Sequence, residues 1–190
     1  MVKKAQLHDN FEVNFILKGF TSILIGGYFF LLSYIYKYIL DSYLVDGHTL
    51  GLLSPQIIEI IFISLAFIFV LFSSLALFFG GKRSAKKHQF KLWNRKTKTT
   101  FYKYLLGVVI VFSSSIILMK LGFIDFITPL FLIIYSVFLF LLKNKTRKNI
   151  LILSGLSLLL GIYCLLIPGY WYSSFTILAI AHATYGMVER

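Results

Sequence analysis

The densest group of potential metal ligands in this sequence is Asp41, Asp46 and His48, followed by Glu59. Carboxylates and an imidazole bind divalent cations when their spacing lets them converge. Asp-x4-Asp-x-His matches no such spacing, and Glu59 falls in the first turn of an apolar run, where a carboxylate favours the positive end of a helix. The segment reads as a polar loop, with no metal site expected. His182 is different. It lies inside an apolar run with Ala181, Ala183 and Thr184 around it. An ionisable side chain at membrane depth is a candidate proton relay or ligand contact. The small neighbours suit equally a neutral imidazole bonded to a hydroxyl or carbonyl on a packed face, and both readings stay open. His182 and Glu59 are the two ionisable residues carried forward as functional candidates within the membrane. Lys120 and Asp125 flank a tight turn and read as a surface pair of little energetic weight.

A basic stretch mixed with aromatic residues carries Lys82, Arg83, Lys86, Lys87, Lys91, Arg95, Lys96 and Lys98, with Phe90 and Trp93 among them. A net charge of +12 could suggest nucleic acid. Here the cations sit between apolar runs and line no folded basic face, so no nucleic-acid partner is expected. A polybasic segment tethered beside a bilayer attracts anionic lipid, at about 1 kcal/mol per charge near the surface. Membrane lipids, anionic ones above all, are the expected partners, and a homo-oligomer or a membrane partner protein is left open. Phosphate-binding glycine loops, Cys-x2-Cys pairs, His-Glu-x2-His and nucleophile elbows are absent from the sequence. No catalytic residue and no cofactor is expected. Cys164 is the one cysteine, so no intramolecular disulfide can form.

The elements that position these residues are long apolar runs. Hydrophobic residues make up 58% of the 190 positions, and they are bunched into six stretches. Crossing a bilayer core takes roughly 20 apolar residues. The runs at about 15–40, 57–79, 104–119, 126–142, 150–167 and 171–188 read as six transmembrane helices. They use up nearly the whole chain, so residues 1–190 form one transmembrane domain of the all-α class, arranged as three hairpins. The first run is too long for the apolar core of a signal peptide and is expected to stay as a span. Lys and Arg collect in alternate connections: Lys3 and Lys4, then the loop 81–103, then 143–149. The connections 41–56 and 168–170 have no basic residue. This alternation places both termini in the cytoplasm. Tyr170, Trp171 and Tyr172 then form an outer aromatic anchor.

A short motif recurs. Ser22-x3-Gly26-x-Tyr28 in the first run matches Ser157-x3-Gly161-x-Tyr163 in the fifth, and each has a glycine upstream, Gly19 and Gly155. Small residues four and seven apart share one helix face and allow close backbone approach. Gly19, Ser22, Gly26, Gly155, Ser157 and Gly161 are therefore the expected helix-packing positions. The segment from Gly155 through Gly161 to Pro168, with the apolar run that ends at Gly186, resembles the HdeD-like (DUF308) family of small bacterial membrane proteins. In that family each hairpin shows two glycines about two turns apart, a proline at the turn and a closing glycine. The match is good over the last hairpin, partial over the first, where Ser33 replaces the proline, and limited to Gly107 and Pro129 in the middle one. The resemblance implies a six-span, stress-associated protein of the bacterial inner membrane and carries no catalytic residue.

The expected function is thus a non-enzymatic integral membrane protein, stress-associated or accessory to a membrane complex. The alternative is a small transporter or a substrate-binding membrane subunit. Missing paired intramembrane carboxylates and missing Gly-Pro breaks weigh against ion-coupled transport.

Overall fold

A computed structural model describes residue 17, residues 19–44, 49–87, 93, 95–141 and 149–189. Asp46, His48, Phe90, Lys91 and the basic residues 143–148 lie outside these, as do the side chains of Lys87, Arg95 and Lys96. Among the described residues every regular element is a helix, and there is no strand. The helices are α1 (Phe20–Leu44), α2 (Pro55–Lys87), α3 (Arg95–Lys120), α4 (Ile127–Leu141), α5 (Ile150–Leu166) and α6 (Trp171–Val188). Four stretches are long and apolar enough to cross a membrane: Phe20–Leu44, Pro55–Lys86, Thr97–Lys120 and Ile124–Leu141. At 17 residues, α5 is apolar but shorter. The last helix, α6, is diluted by Ser173, Ser174, Thr176, His182 and Thr184.

Helix boundaries follow local chemistry. Pro55 opens α2 at the position where a missing N–H costs nothing. Gly122, at φ +78°, closes α3. Its N–H reaches the Met119 carbonyl at 3.0 Å and the Phe123 N–H reaches Leu118 at 2.9 Å, the paired bonds of a glycine-terminated helix. Pro168 starts a single 3-10 turn, Pro168–Tyr170, between α5 and α6.

One expectation needs correction. The basic connection 81–103 is mostly not a loop. The ladder of α2 continues through Lys82, Arg83 and Lys86 to Lys87, and α3 is already helical from Arg95 through Lys96 and Lys98. Lys and Arg are good helix formers, and neither proline nor glycine interrupts the sequence from Lys82 to Lys103. Periodic apolar content marks where a helix meets lipid, not where its hydrogen bonds end.

The bundle is turned inside out relative to a water-soluble one. Phe67, Leu71, Leu106, Val109, Ile110, Ile152, Leu159 and Leu166 are exposed. Buried positions include Ser22, Ser33, Ser136, Ser154, Ser157, Ser174 and His182. An apolar exterior over an interior of small polar side chains is how helices associate in lipid, where burying hydrocarbon yields no gain over leaving it exposed. The apolar part of the core centres on Phe29, Leu132, Leu139, Leu160 and Leu178.

The largest interfaces pair α1 with α6 and α4 with α5, so the bundle is held between hairpins as well as within them. Direction is fixed by contacts at each end. Asn149, just before α5, donates to Glu189, just after α6, at 2.6 Å. A methyl on Gly186 near the end of α6 would strike the Gly19 carbonyl before α1. At the far end the Lys37 ammonium lies 4.6 Å from the centre of the Tyr172 ring. Helices α1 and α6 are therefore antiparallel.

Candidate functional site

The repeated motif turns out to make the same contact twice. Ser22 on α1 donates its hydroxyl to the His182 carbonyl on α6 at 2.9 Å. Ser157 on α5 donates to the Leu132 carbonyl on α4 at 2.9 Å. One turn on, a Cβ at Gly26 would lie 2.6 Å from the Ala179 carbonyl and 3.1 Å from the His182 Cβ, and one at Gly161 would lie 3.0 Å from Ile133 and 3.4 Å from Leu132. One turn before, Ser154 and Ser136 exchange hydroxyl-to-carbonyl bonds at 2.8 Å, where the α1–α6 interface has Gly19 against Gly186. Serine supplies a bond and glycine supplies room. Gly155 does neither, since a methyl there would meet nothing within 4 Å.

His182 sits inside the first of these interfaces, fully buried. Its Nδ1 is 3.3 Å from the Ser22 hydroxyl and its Nε2 is 2.7 Å from the Tyr135 hydroxyl on α4. One proton arrangement satisfies every group: Nδ1–H donates to Ser22, Ser22 donates to the His182 carbonyl, and Tyr135 donates to Nε2. Phe29 stacks on the imidazole at 5.5 Å and 26°. Phe69, Phe131, Tyr135 and Phe175 surround Phe29 in turn. In this arrangement both ring nitrogens are bonded within the bundle, one to α1 and one to α4. The Ser22 hydroxyl in turn donates its hydrogen bond to the His182 carbonyl. The constellation ties α1, α4 and α6 together through one residue.

Glu59 does not join it. Glu59 lies in the second turn of α2, close to where the Tyr36 hydroxyl donates to the Phe62 carbonyl at 2.7 Å. Tyr36 is in the last third of α1 and Ser22 in its first turn, so Glu59 and His182 are at opposite ends of the bundle. Among the described residues no group of three His, Cys, Asp or Glu could hold a metal ion. Cys164 is buried, with its thiol 3.1 Å from the Ser174 hydroxyl.

The feature that sequence reasoning missed is a cavity of about 280 Å³ bounded by α1, α2, α3 and α4. Phe69, Leu77, Val108, Val111, Phe112 and Phe138 give it apolar walls, and Trp93, Thr100 and Phe101 lie at its basic end. Tyr135 and Phe29 form part of its lining, so it abuts the His182 cluster. Its polar groups are few. Ser74 donates to the Val70 carbonyl at 2.6 Å and lies 2.6 Å from the Tyr104 hydroxyl. The Ser73 hydroxyl is buried and has no hydrogen-bond partner among the described residues. Beyond Ser74–Tyr104, α2 and α3 meet at Phe67 and Phe112, with ring centres 6.2 Å apart. No local spacing announces the cavity, because its walls come from four helices.

The exposed cations Lys82, Arg83 and Lys86 near the end of α2 and Lys98 and Lys103 on α3 stand around the basic end of the bundle. Comparison with protein-family models, with curated proteins and with solved structures finds no match to the chain.

Proposed function

We propose that this chain is a non-enzymatic integral membrane protein that binds anionic lipid at its basic end. Six helices cross the membrane, with both termini and the basic ends of α2 and α3 on the cytoplasmic side of a bacterial inner membrane. The single observation that carries the binding role is the cavity of about 280 Å³ beneath the exposed cations of α2 and α3. Concave, mostly apolar sites with a few polar groups are where small molecules bind, and cations at a membrane surface select anionic headgroups. The non-enzymatic part rests on the sequence, which carries no phosphate-binding glycine loop, Cys-x2-Cys pair, His-Glu-x2-His or nucleophile elbow.

An accessory or stress-associated role is carried by the resemblance of Gly155, Gly161 and Pro168 to the HdeD-like pattern. A substrate-binding membrane subunit is the second reading, favoured by the same cavity. It predicts a ligand that exchanges and is not a lipid.

Two experiments test the proposal. Cysteines placed singly at positions 46 and 90, in a Cys164→Ala background, should be labelled by an impermeant reagent from outside at 46 and not at 90. Labelling at 90 from outside would reverse the orientation. Replacing Lys86, Lys87, Lys91 and Arg95 together with Gln should lower the anionic lipid that co-purifies with the protein and leave its helicity unchanged. Parent-like lipid content in that variant would reduce the cations to an insertion signal.

A further inference from the structure

The two closed interfaces of the bundle share a rule: serine, three residues, glycine, with the serine bonded to a facing carbonyl. In α3 the corresponding glycine is Gly107, and the residue four before it is Lys103. Lysine cannot make the short hydroxyl-to-carbonyl bond, and its charge keeps it from burial against another helix. Lys103 is exposed, and a methyl on Gly107 would meet one atom, Phe138 Cδ2, at 4.0 Å. Helix α3 therefore lacks the close approach seen in the other two interfaces: it touches α2 at Ser74–Tyr104 and Phe67–Phe112, and the cavity occupies the space left beside Gly107.

This gap has three features that together describe one kind of occupant. Its walls are apolar from Thr100 to Phe112 of α3, which is about 18 Å of helix. At mid-height the Ser73 hydroxyl, in a residue only 8% exposed, waits for a hydrogen-bond acceptor. A buried hydroxyl left unpaired is costly, and each such group calls for an explanation. Lys103 is next in sequence to Tyr104, whose hydroxyl meets Ser74, so Lys103 stands at the height of Ser73 on the outward side. A lysine at that height extends its ammonium toward the headgroup layer. A phosphate, an ester carbonyl a few bonds below it and a hydrocarbon chain below that would meet Lys103, Ser73 and the apolar walls in that order.

We propose that the cavity between α2, α3 and α4 holds one acyl chain of an anionic glycerophospholipid, with its phosphate on Lys103 and Lys98 and its ester carbonyl accepting from Ser73. The site rests on the lipid-binding function proposed above and adds a defined, one-to-one position to it. A diffuse basic surface would bind lipids without stoichiometry. The gap binds one, and the lipid fills the space left beside Gly107.

The test is lipid retained per chain, measured by mass spectrometry of extracts after detergent washing, for the full chain loaded in equimolar phosphatidylglycerol and phosphatidylcholine. The parent should keep about one phosphatidylglycerol in preference to phosphatidylcholine. Val108→Phe, which fills the cavity, should lose it. Ser73→Ala should reduce retention about five-fold, the effect of one hydrogen bond. Its lipid-free melting temperature should not fall, because the hydroxyl removed has no partner among the described residues. Folded Ser73→Ala and Val108→Phe variants with parent-like retention overturn the site. If those two keep the lipid while the Lys86, Lys87, Lys91 and Arg95 variant loses it, lipid binding stands and only the cavity assignment falls. If none of the variants loses lipid, the lipid-binding function itself fails. Equal retention of phosphatidylcholine overturns the anionic specificity.

Discussion

His182 shows how much the reading of a single residue depends on its neighbours. A histidine in an apolar run points to proton chemistry or to packing, and sequence cannot separate the two, because the deciding atoms come from Ser22 and Tyr135, 160 and 47 positions away. Once they are in place the imidazole bridges α1, α4 and α6. Interhelical bonds of this kind average about 0.6 kcal/mol in membrane proteins and reach about 1.7 kcal/mol. Tyr135→Phe leaves Nε2 buried without a donor and should fall in the upper part of that range, seen as a lower melting temperature in detergent. Ser22→Ala should do the same by orphaning Nδ1. A Tyr135→Phe variant as stable as the parent would show that the 2.7 Å contact contributes nothing and that His182 is free for another role.

At the scale of elements, the apolar runs fall on helices among the described residues, four of them long and apolar enough to cross a membrane, and Ser22, Gly26, Ser157 and Gly161 of the repeat lie at helix contacts. What spacing could not tell was the partner. Gly26 faces α6, whereas Gly161 faces α4. Nor could it tell Gly155, which packs on nothing within 4 Å, from Gly26, which has a carbonyl in the way of any Cβ. The helix ends were misjudged where charge replaced apolar content, because Lys and Arg continue a hydrogen-bond ladder as well as Leu does. The contrast between the two glycines is a sharp test. Gly26→Ala should destabilise the bundle by about 1–3 kcal/mol, since the added methyl forces α1 and α6 apart. Gly155→Ala should be neutral or stabilising by up to about 1 kcal/mol, the ordinary gain of alanine over glycine in a helix. Thermal melts of both variants in one detergent decide it, and equal melting temperatures would mean that the α1–α6 approach is not as close as 2.6 Å implies.

For the whole molecule, the membrane class was legible from bunched apolar content, and the arrangement explains why: large apolar side chains face outward while serines, glycines and His182 face in. The cavity was not legible, because it results from a close approach that α3 does not make, and a missing contact has no motif. Its place beside the helices that carry the exposed cations brings the basic stretch, Ser73 and the break in the repeat at Lys103 into one proposed account, that of a bundle completed by an anionic lipid. The most direct measurement is native mass spectrometry of the intact protein released from mild detergent. The account predicts one anionic phospholipid per chain that survives the removal of detergent. A bare chain, or one carrying a neutral or non-lipid ligand at the same stoichiometry, would contradict it.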